Sequence, residues 1–375
     1  MVHVTIRNND RTENLSFPCS ELYIEHALGR LGMENSQTHF VPENIQPEEL
    51  NVFQDRLLNL DEMNFLAKRM ESFTSEERDK FYAVMKHKNY LTMKDLINLT
   101  YNLNEYTLIQ DIGSAERIGR KHYMTLHGCI GKTEMEEVDF AEIGKELVHS
   151  GKAIWTDYGL LFENEGIKHE EVYNGRTFPF YWYDPDKLMS VKIEYAEREE
   201  YVYLPSEEIA IQKAIKRLGT EDASECSYSM EDYEIESNYW REKLCQYLET
   251  DDIYEINKFV SDINDADTDL EKLSALMKCA CNDDLESALI LAERINEFDY
   301  IRDVNTDEEV GRYIIENSCE YELSEELEEF FDFDAFGQYF ADENNGHFVD
   351  GGFLYGDKSV EEILQNSNGP KIGGI

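Results

Sequence analysis

The sequence has few basic residues, few prolines and no long apolar segment, and each scarcity excludes a class of protein. Only 35 Lys and Arg stand against 80 Asp and Glu in 375 residues, which gives a formal charge of −45. Proteins that bind nucleic acids or anionic membranes use Lys and Arg to neutralise phosphates. No stretch approaches the roughly 20 apolar residues that span a bilayer, and the first residues lack the apolar core of a signal peptide. We therefore expect neither direct nucleic-acid binding nor membrane attachment.

The cysteines and prolines indicate an intracellular, largely helical protein. Seven cysteines are scattered along the chain, an odd number that does not suggest a disulfide framework. We expect a reducing compartment, the cytoplasm. Only 7 prolines occur, whereas 41% of residues are hydrophobic and 12% aromatic. A chain of this composition can form cores, so the acidity does not indicate disorder.

Two related segments follow one another along the chain. Short motifs recur in the same order, at offsets that drift only from 187 to 193 residues. We interpret them as two diverged copies, about residues 1–162 and 189–355, joined by a connector rich in Tyr and Phe. The clearest matches are Val4-x-Ile6 with Val191-x-Ile193, Arg30-Leu31-Gly32 with Arg217-Leu218-Gly219, Gly119-Arg120 with Gly311-Arg312, and Asp139-Phe140 with Asp332-Phe333.

The same order of elements is predicted in both copies, so the expected fold class is α+β. Each copy begins with two short strands, continues with helices and closes with a small α/β segment, and the whole is expected to be elongated. We divide the chain into four parts. They are residues 1–127 (first-copy strands and helical domain), 128–188 (first-copy closing segment and connector), 189–318 (second-copy strands and acidic helical domain) and 319–375 (second-copy closing segment and tail).

Local signals mark the ends of several helices. The first helix of each copy has a serine near its start, Ser20 or Ser206, and a glycine just past its end. Thr74 with Glu77, and Thr306 with Glu309, have the spacing of capping boxes.

The acidic residues are concentrated in the second copy. Residues 1–200 hold 36 acidic and 22 basic residues, whereas residues 201–375 hold 44 and 13. Like charges four residues apart destabilise a helix, so this excess points to function rather than to the fold. Two dense runs are the candidate partner-binding carboxylates: Glu249, Asp251, Asp252, Glu255, Asp262, Asp265, Asp267, Asp269 and Glu271, and then Glu320, Glu322, Glu325, Glu326, Glu328, Glu329, Asp332 and Asp334.

A protein that imitates duplex DNA would need such an arrangement. B-DNA carries one charge per roughly 1.7 Å, so the net charge of −31 in residues 201–375 corresponds to about 53 Å of duplex. Carboxylates four residues apart on a helix are spaced by about 6 Å, close to the phosphate step of one strand. A merely solvated surface is the ordinary explanation for exposed acidic residues, and the size of the excess favours mimicry.

Metal-binding and catalytic motifs are weak. The run from Asp265 to Glu271 begins like a calcium loop, but Leu270 replaces the required glycine and Leu276 the final glutamate. The sequence contains no phosphate-binding loop, dinucleotide fingerprint or nucleophile elbow. We expect no metal, no cofactor and no catalytic residue, and so no enzyme.

An aromatic cluster, residues 178–183, lies in the connector. We expect it to pack between the two copies. The alternative is a docking surface for a partner, since aromatic side chains dominate the energetics of interfaces.

The second copy resembles the ArdA family of antirestriction proteins. The resemblance rests on two stretches, 306–316 (TDEEVGRYIIE) and 327–337 (LEEFFDFDAFG), and covers residues 230–355 well. Residues 62–123 and 139–144 resemble the same parts more loosely. Members of this family are elongated, acidic DNA mimics encoded on mobile elements, and they use no cofactor.

The resemblance implies that the protein occupies the DNA-binding groove of a type I restriction-modification enzyme, on its methyltransferase core. Family members are about half this length and form homodimers through the closing domain, so a homodimer or an internal pseudo-dimer is implied here. The competing hypothesis is an acidic scaffold that binds a basic partner unrelated to DNA enzymes. Competition with DNA distinguishes the two.

Overall fold

Helices alternate with short antiparallel strands, which confirms the predicted α+β class. The computed structural model describes residues 1–33, 39–181, 186–264, 268–319, 321 and 323–367. The chain divides into two units, Met1–Tyr183 and Asp184–Ile375. Each unit has its own hydrophobic core.

The first unit contains two three-stranded sheets, in the orders β2-β1-β4 and β6-β8-β7, and a short pair, β3-β5. Its helices are α1 (Glu21–Leu31), α2 (Leu60–Glu71), α3 (Ser75–Lys88), α4 (Met93–Tyr101), α5 (Ala115–His127), α6 (Lys132–Glu137) and α7 (Phe140–His149). Its strands are β1 (Val2–Asn8), β2 (Arg11–Phe17), β3 (His39–Phe40), β4 (Pro42–Gln46), β5 (Leu58–Asn59), β6 (Tyr106–Ile109), β7 (Ile154–Thr156) and β8 (Gly159–Glu163).

The second unit contains two three-stranded sheets, in the orders β10-β9-β11 and β12-β14-β13. Its strands are β9 (Met189–Tyr195), β10 (Arg198–Leu204), β11 (Ser227–Tyr233), β12 (Phe298–Arg302), β13 (His347–Val349) and β14 (Gly352–Gly356). Its helices are α8 (Glu208–Leu218), α9 (Asn238–Thr250), α10 (Ile253–Ile263), α11 (Leu270–Ala280), α12 (Leu285–Glu293), α13 (Asp307–Asn317), α14 (Glu325–Glu328), α15 (Phe333–Glu343) and α16 (Val360–Ser367).

The N-terminal sheet of each unit is covered by the helix that follows it. In β1, alternate residues Val2, Val4 and Ile6 are buried, as strand periodicity requires. The apolar face of α1 is buried with them, and Gly32 ends this helix in the left-handed conformation that glycine adopts easily. In the second unit, α8 packs in the same way and ends at Gly219. The predicted lead-in strands and first helices are therefore present.

Several contacts recur at equivalent positions in the two units. An asparagine on a later helix, α2 in the first unit and α10 in the second, hydrogen-bonds both the backbone amide and the carbonyl of the residue that follows the X-Pro bond. One ion pair connects the second strand of each unit to its first helix. Another ion pair joins a helix to the turn of the closing hairpin. The matched contacts are Asn64 with Cys19 and Asn257 with Ser206, Glu13–Arg30 and Glu200–Arg217, and Lys86–Asp157 and Lys278–Asp350. A tandem duplication predicts these recurrences, and the duplication itself stays a prediction.

The predicted helix caps are present in part. Ser20 caps α1, and Thr74 forms a complete capping box with Glu77. Ser206 lies near the start of α8, as predicted, but Glu207 occupies the N-cap position, and the backbone of Ser206 is held by Asn257. Thr306 caps α13 through the Glu309 amide. The Glu309 carboxylate accepts a hydrogen bond from the backbone amide of Asn305 at 2.7 Å. In a capping box it would accept from the backbone amide of Thr306, so only one half of the predicted box is formed.

The described part of the aromatic connector packs on the first unit, and its packing between the copies stays a prediction. Asn98 on α4 donates to the Tyr173 carbonyl and accepts from the Val172 and Tyr173 amides, all at 2.8–2.9 Å. The ring of Phe178 stacks on Phe65 of α2, with centroids 4.5 Å apart. Of the 178–183 cluster, residues 182 and 183 lie outside the described part. The described connector is therefore part of the first unit's core rather than a free linker.

Candidate partner-binding surface of the second unit

Two glycines set the packing of the closing segment in the second unit. Gly311 on α13 faces Gly337 on α15, and an added Cβ on Gly337 would lie 1.8 Å from the Asp307 carbonyl oxygen. The two helices can approach this closely only because both positions lack a side chain. In the first unit, α5 and α7 cross in the same way at Gly119 and Gly144. The predicted domain boundary at 127/128 therefore separates two helices that pack against each other. The α13–α15 crossing brings the acidic turn α14 beside α13.

Five of the candidate carboxylates are exposed and form no side-chain hydrogen bond or close ion pair with another described residue. They lie on α9, α10, α14 and the turn after it, and the first turn of α15, where they remain available to a partner. These five, which we call the free carboxylates, are Glu249, Glu255, Glu326, Glu329 and Asp334.

Three candidate aspartates cap helices. Asp252, Asp269 and Asp332 accept hydrogen bonds from the first-turn amides of α10, α11 and α15. Each satisfies backbone donors that the helix itself leaves unpaired, a contribution of about 1 kcal/mol. Their carboxylates therefore have a structural role, whatever they contribute to binding.

Basic residues partly neutralise three candidate positions, one of which is the helix cap Asp269. Arg302 pairs with Asp269 at 2.8 Å and with Glu271 at 2.6 Å, and these two carboxylates raise the pKa of the arginine. Glu328 lies 3.8 Å from Arg312, which also pairs with Glu308 of its own helix. Glu271 and Glu328 thus present less free charge than Glu326 or Glu329.

Two candidates are half-buried. Asp251 accepts from the Thr250 hydroxyl at 2.6 Å. Burial raises the pKa of Asp262, and its Oδ2 has no hydrogen-bond partner among the described residues. A carboxylate in this position is a poor phosphate mimic, since it is shielded from solvent.

The remaining candidates cannot be placed. Asp265, Asp267, Glu320 and Glu322 lie outside the described residues, and for Glu325 only the backbone, at the start of α14, is described. The calcium-like loop therefore has only its last part described, where Asp269 acts as a helix cap.

A cavity of about 530 Å³ brings part of the first run together. Glu249, Asp251 and Asp252 line it at the junction of α9 and α10, and Leu248 and Tyr228 contribute apolar surface. Burial raises the pKa of the Tyr228 hydroxyl well above its ordinary value, so this group stays neutral.

An acidic sheet edge was missed by the sequence analysis. Strand β11 is at the edge of its sheet, and its register shifts between Met230 and Asp232. This β-bulge leaves the consecutive residues Glu231 and Asp232 both exposed, with Glu234 and Glu236 exposed just beyond. The alternation of acidic residues with Tyr233 and Ile235 is the signal that could have identified this edge.

Exposed apolar side chains accompany the free carboxylates of the closing segment. Leu327 is 57% exposed and Phe330 82% exposed, both beside Glu326 and Glu329. Such side chains can act as anchors in an interface whose long-range attraction is electrostatic.

Metal-binding and membrane-spanning features are not found in the part of the chain that is described. No group of three or more His, Cys, Asp or Glu side chains there is arranged to hold a metal ion. None of the helices there combines the length and the apolar character needed to cross a bilayer.

One protein family matches the chain. The sequence model of the family described as Antirestriction protein (ArdA) matches residues 197–355, which include most of the second unit and all the candidate carboxylates. No curated protein matches the chain. The matched segment contains the glycine crossing, the acidic turn α14 and the edge strand β11. Residues 197–355 thus match the ArdA antirestriction family.

Proposed function

We propose that the second unit acts as a DNA mimic, which occupies the DNA-binding groove of a type I restriction-modification enzyme on its methyltransferase core. The free carboxylates carry this proposal. They are exposed, form no close ion pair in the described residues, and lie in the segment that matches the antirestriction family, in a chain of net charge −45. A groove that has evolved to neutralise phosphates would attract such a surface.

The acidic edge of β11 extends the same surface in our proposal. Glu231 and Asp232 add two exposed charges that no described base neutralises. Leu327 and Phe330 would supply apolar contacts, so binding should persist in part when salt screens the charges. The proposed target acts on DNA inside the cell, which makes the cytoplasm the site of action. The protein would act stoichiometrically, without a cofactor, as a homodimer or an internal pseudo-dimer.

A displacement titration tests the proposal. Labelled duplex is bound to a type I methyltransferase core, and the full-length protein is added at low and at high salt. We expect stoichiometric release of the duplex, with an affinity that falls as salt increases. No release at either salt concentration would remove this target and would favour the acidic scaffold, whose basic partner is unrelated to DNA enzymes.

Charge-reversal variants locate the surface. The triple variant Glu326→Lys, Glu329→Lys and Asp334→Lys should weaken displacement and reduce its salt dependence. Reversal of Glu136 and Glu137 on α6 of the first unit is the control, since both are exposed and lie outside the family match. Equal loss from both sets would show that only net charge matters, against a located mimic surface.

A further inference from the structure

A cavity of about 360 Å³ in the first unit is lined by three basic and two acidic side chains, a basic excess that is unusual in so acidic a protein. Arg117, Arg120 and Lys121 line it from α5, and Leu108 and Ile109 of β6 form an apolar floor. Met124, 41% exposed, completes the same face of α5 one turn further on. The spacing at positions i, i+3, i+4 and i+7 places all four α5 side chains on one side of the helix.

Of the three basic side chains, Arg120 has no partner among the described residues. Arg117 pairs with Asp111 and Lys121 with Glu76, each at 2.9 Å. No ion pair or hydrogen bond joins the Arg120 side chain to another residue that the structure describes, and this side chain is exposed. The guanidinium of Arg120 therefore offers a free, bidentate donor set at the cavity rim.

The second unit shows what the equivalent arginine binds. Arg312 occupies the matching position on α13, where it pairs with Glu308 at 3.0 Å and Glu328 at 3.8 Å. It also lies over the Phe333 ring, 4.4 Å from the centroid. In that unit the chain supplies carboxylates to the arginine, whereas in the first unit the position is open.

Helices α5 and α13 carry opposite net charges, and the difference includes this face. Position 117 is arginine in the first unit and position 309, its counterpart, is glutamate; Met124 likewise corresponds to Glu316. Helix α5 holds three Lys and Arg against one acidic residue, whereas α13 holds one against four. This face of the first unit thus suits a partner of opposite charge from the one proposed for the second unit.

We infer that this cavity docks an acidic segment of a partner protein, in which a carboxylate reaches Arg120 and a neighbouring apolar side chain lies on the exposed Met124. Charge complementarity favours this occupant. Among the described residues that line the cavity none is aromatic, so nucleic-acid bases would find no stacking surface. The net charge of −45 also repels a long polyanion more strongly than it repels a short acidic peptide.

Fluorescence anisotropy with the full-length protein tests this inference. The probe is a labelled peptide with the sequence of residues 323–336, which combines carboxylates with apolar side chains. Arg120→Gln should weaken peptide binding by about tenfold to a hundredfold, the effect of losing a charged hydrogen-bonded contact. Met124→Ala should weaken it by less, and a peptide with every Asp and Glu changed to Asn and Gln should not bind.

Arg56→Gln is the matched control, because Arg56 is also exposed in the first unit and is not part of the cavity lining. Peptide binding that is unchanged by Arg120→Gln, or equally weakened by Arg56→Gln, would overturn the inference. Tighter binding of a single-stranded oligonucleotide than of the peptide would also overturn it. Arg120 lies outside the ArdA match, so Arg120→Gln should leave duplex displacement intact, and the two proposals can fail separately.

Discussion

The glycine crossing of α13 and α15 gives the sharpest prediction for stability. In Gly337→Ala the new Cβ would lie 1.8 Å from the Asp307 carbonyl oxygen and 2.6 Å from its carbon. Carbon and oxygen normally approach to about 3.3 Å, so the helices would have to separate by about 1.5 Å. Overpacking of this kind costs about 1–3 kcal/mol or more, and the higher helix propensity of alanine returns about 0.5–1 kcal/mol.

We therefore expect Gly337→Ala to lower the free energy of unfolding by about 1–2 kcal/mol, which corresponds to a fall in Tm of about 2–8 °C for a unit of this size. Calorimetry measures the Tm, and hydrogen exchange shows whether α13 and α15 lose protection. The control is Gly29→Ala in α1, where no atom lies within 4 Å of the new Cβ and stability should rise. A Gly337→Ala protein as stable as the parent would refute the account of this crossing.

Three further predictions concern charge. Reversing Glu326 and Glu329 to Lys should leave the Tm nearly unchanged, because exposed charges contribute little to stability, but should weaken duplex displacement; a large drop in Tm with intact displacement would contradict this. Burial raises the pKa of Asp262 above its ordinary value of 3.8. Burial of the neutral carboxyl therefore carries no ionisation penalty below pH 3.8, and the protein loses stability as the pH rises through the raised pKa and the group ionises. Asp262→Asn should therefore raise the Tm at pH 7 but not at about pH 3, and an equal gain at both would contradict the burial argument. Glu200 is 1% exposed and accepts two hydrogen bonds from Arg217. Glu200→Ala should therefore lower the free energy of unfolding, measured by chemical denaturation, by about 3–5 kcal/mol. A decrease below about 1 kcal/mol would refute the role of this pair.

Periodicity and capping signals predicted the local structure well. The alternation in β1 and the four-residue spacing in α1 identify their buried faces, and Gly32 and Gly219 mark where the first helix of each unit ends. These features depend on residues close in sequence, so the sequence alone determines them. The role of Ser206 depends instead on Asn257, 51 residues away, and no local pattern could reveal it.

The function of individual carboxylates was harder to predict. In sequence, Asp252, Asp269 and Glu326 look alike, but the first two cap helices and only the last is free. That distinction depends on where each helix begins and on where Arg302 lies. The docking of the aromatic connector also depends on tertiary contacts, because Asn98 meets Tyr173 only in the folded unit.

Mutual exclusion between this protein and DNA is the most direct test of the DNA-mimic proposal. The apparent Kd of the full-length protein for a type I methyltransferase core is measured at a series of duplex concentrations. A mimic that occupies the DNA groove predicts a Kd that rises linearly with duplex concentration and shows no plateau. A Kd that is independent of duplex concentration would contradict the proposal, because the protein and DNA would then bind the enzyme together.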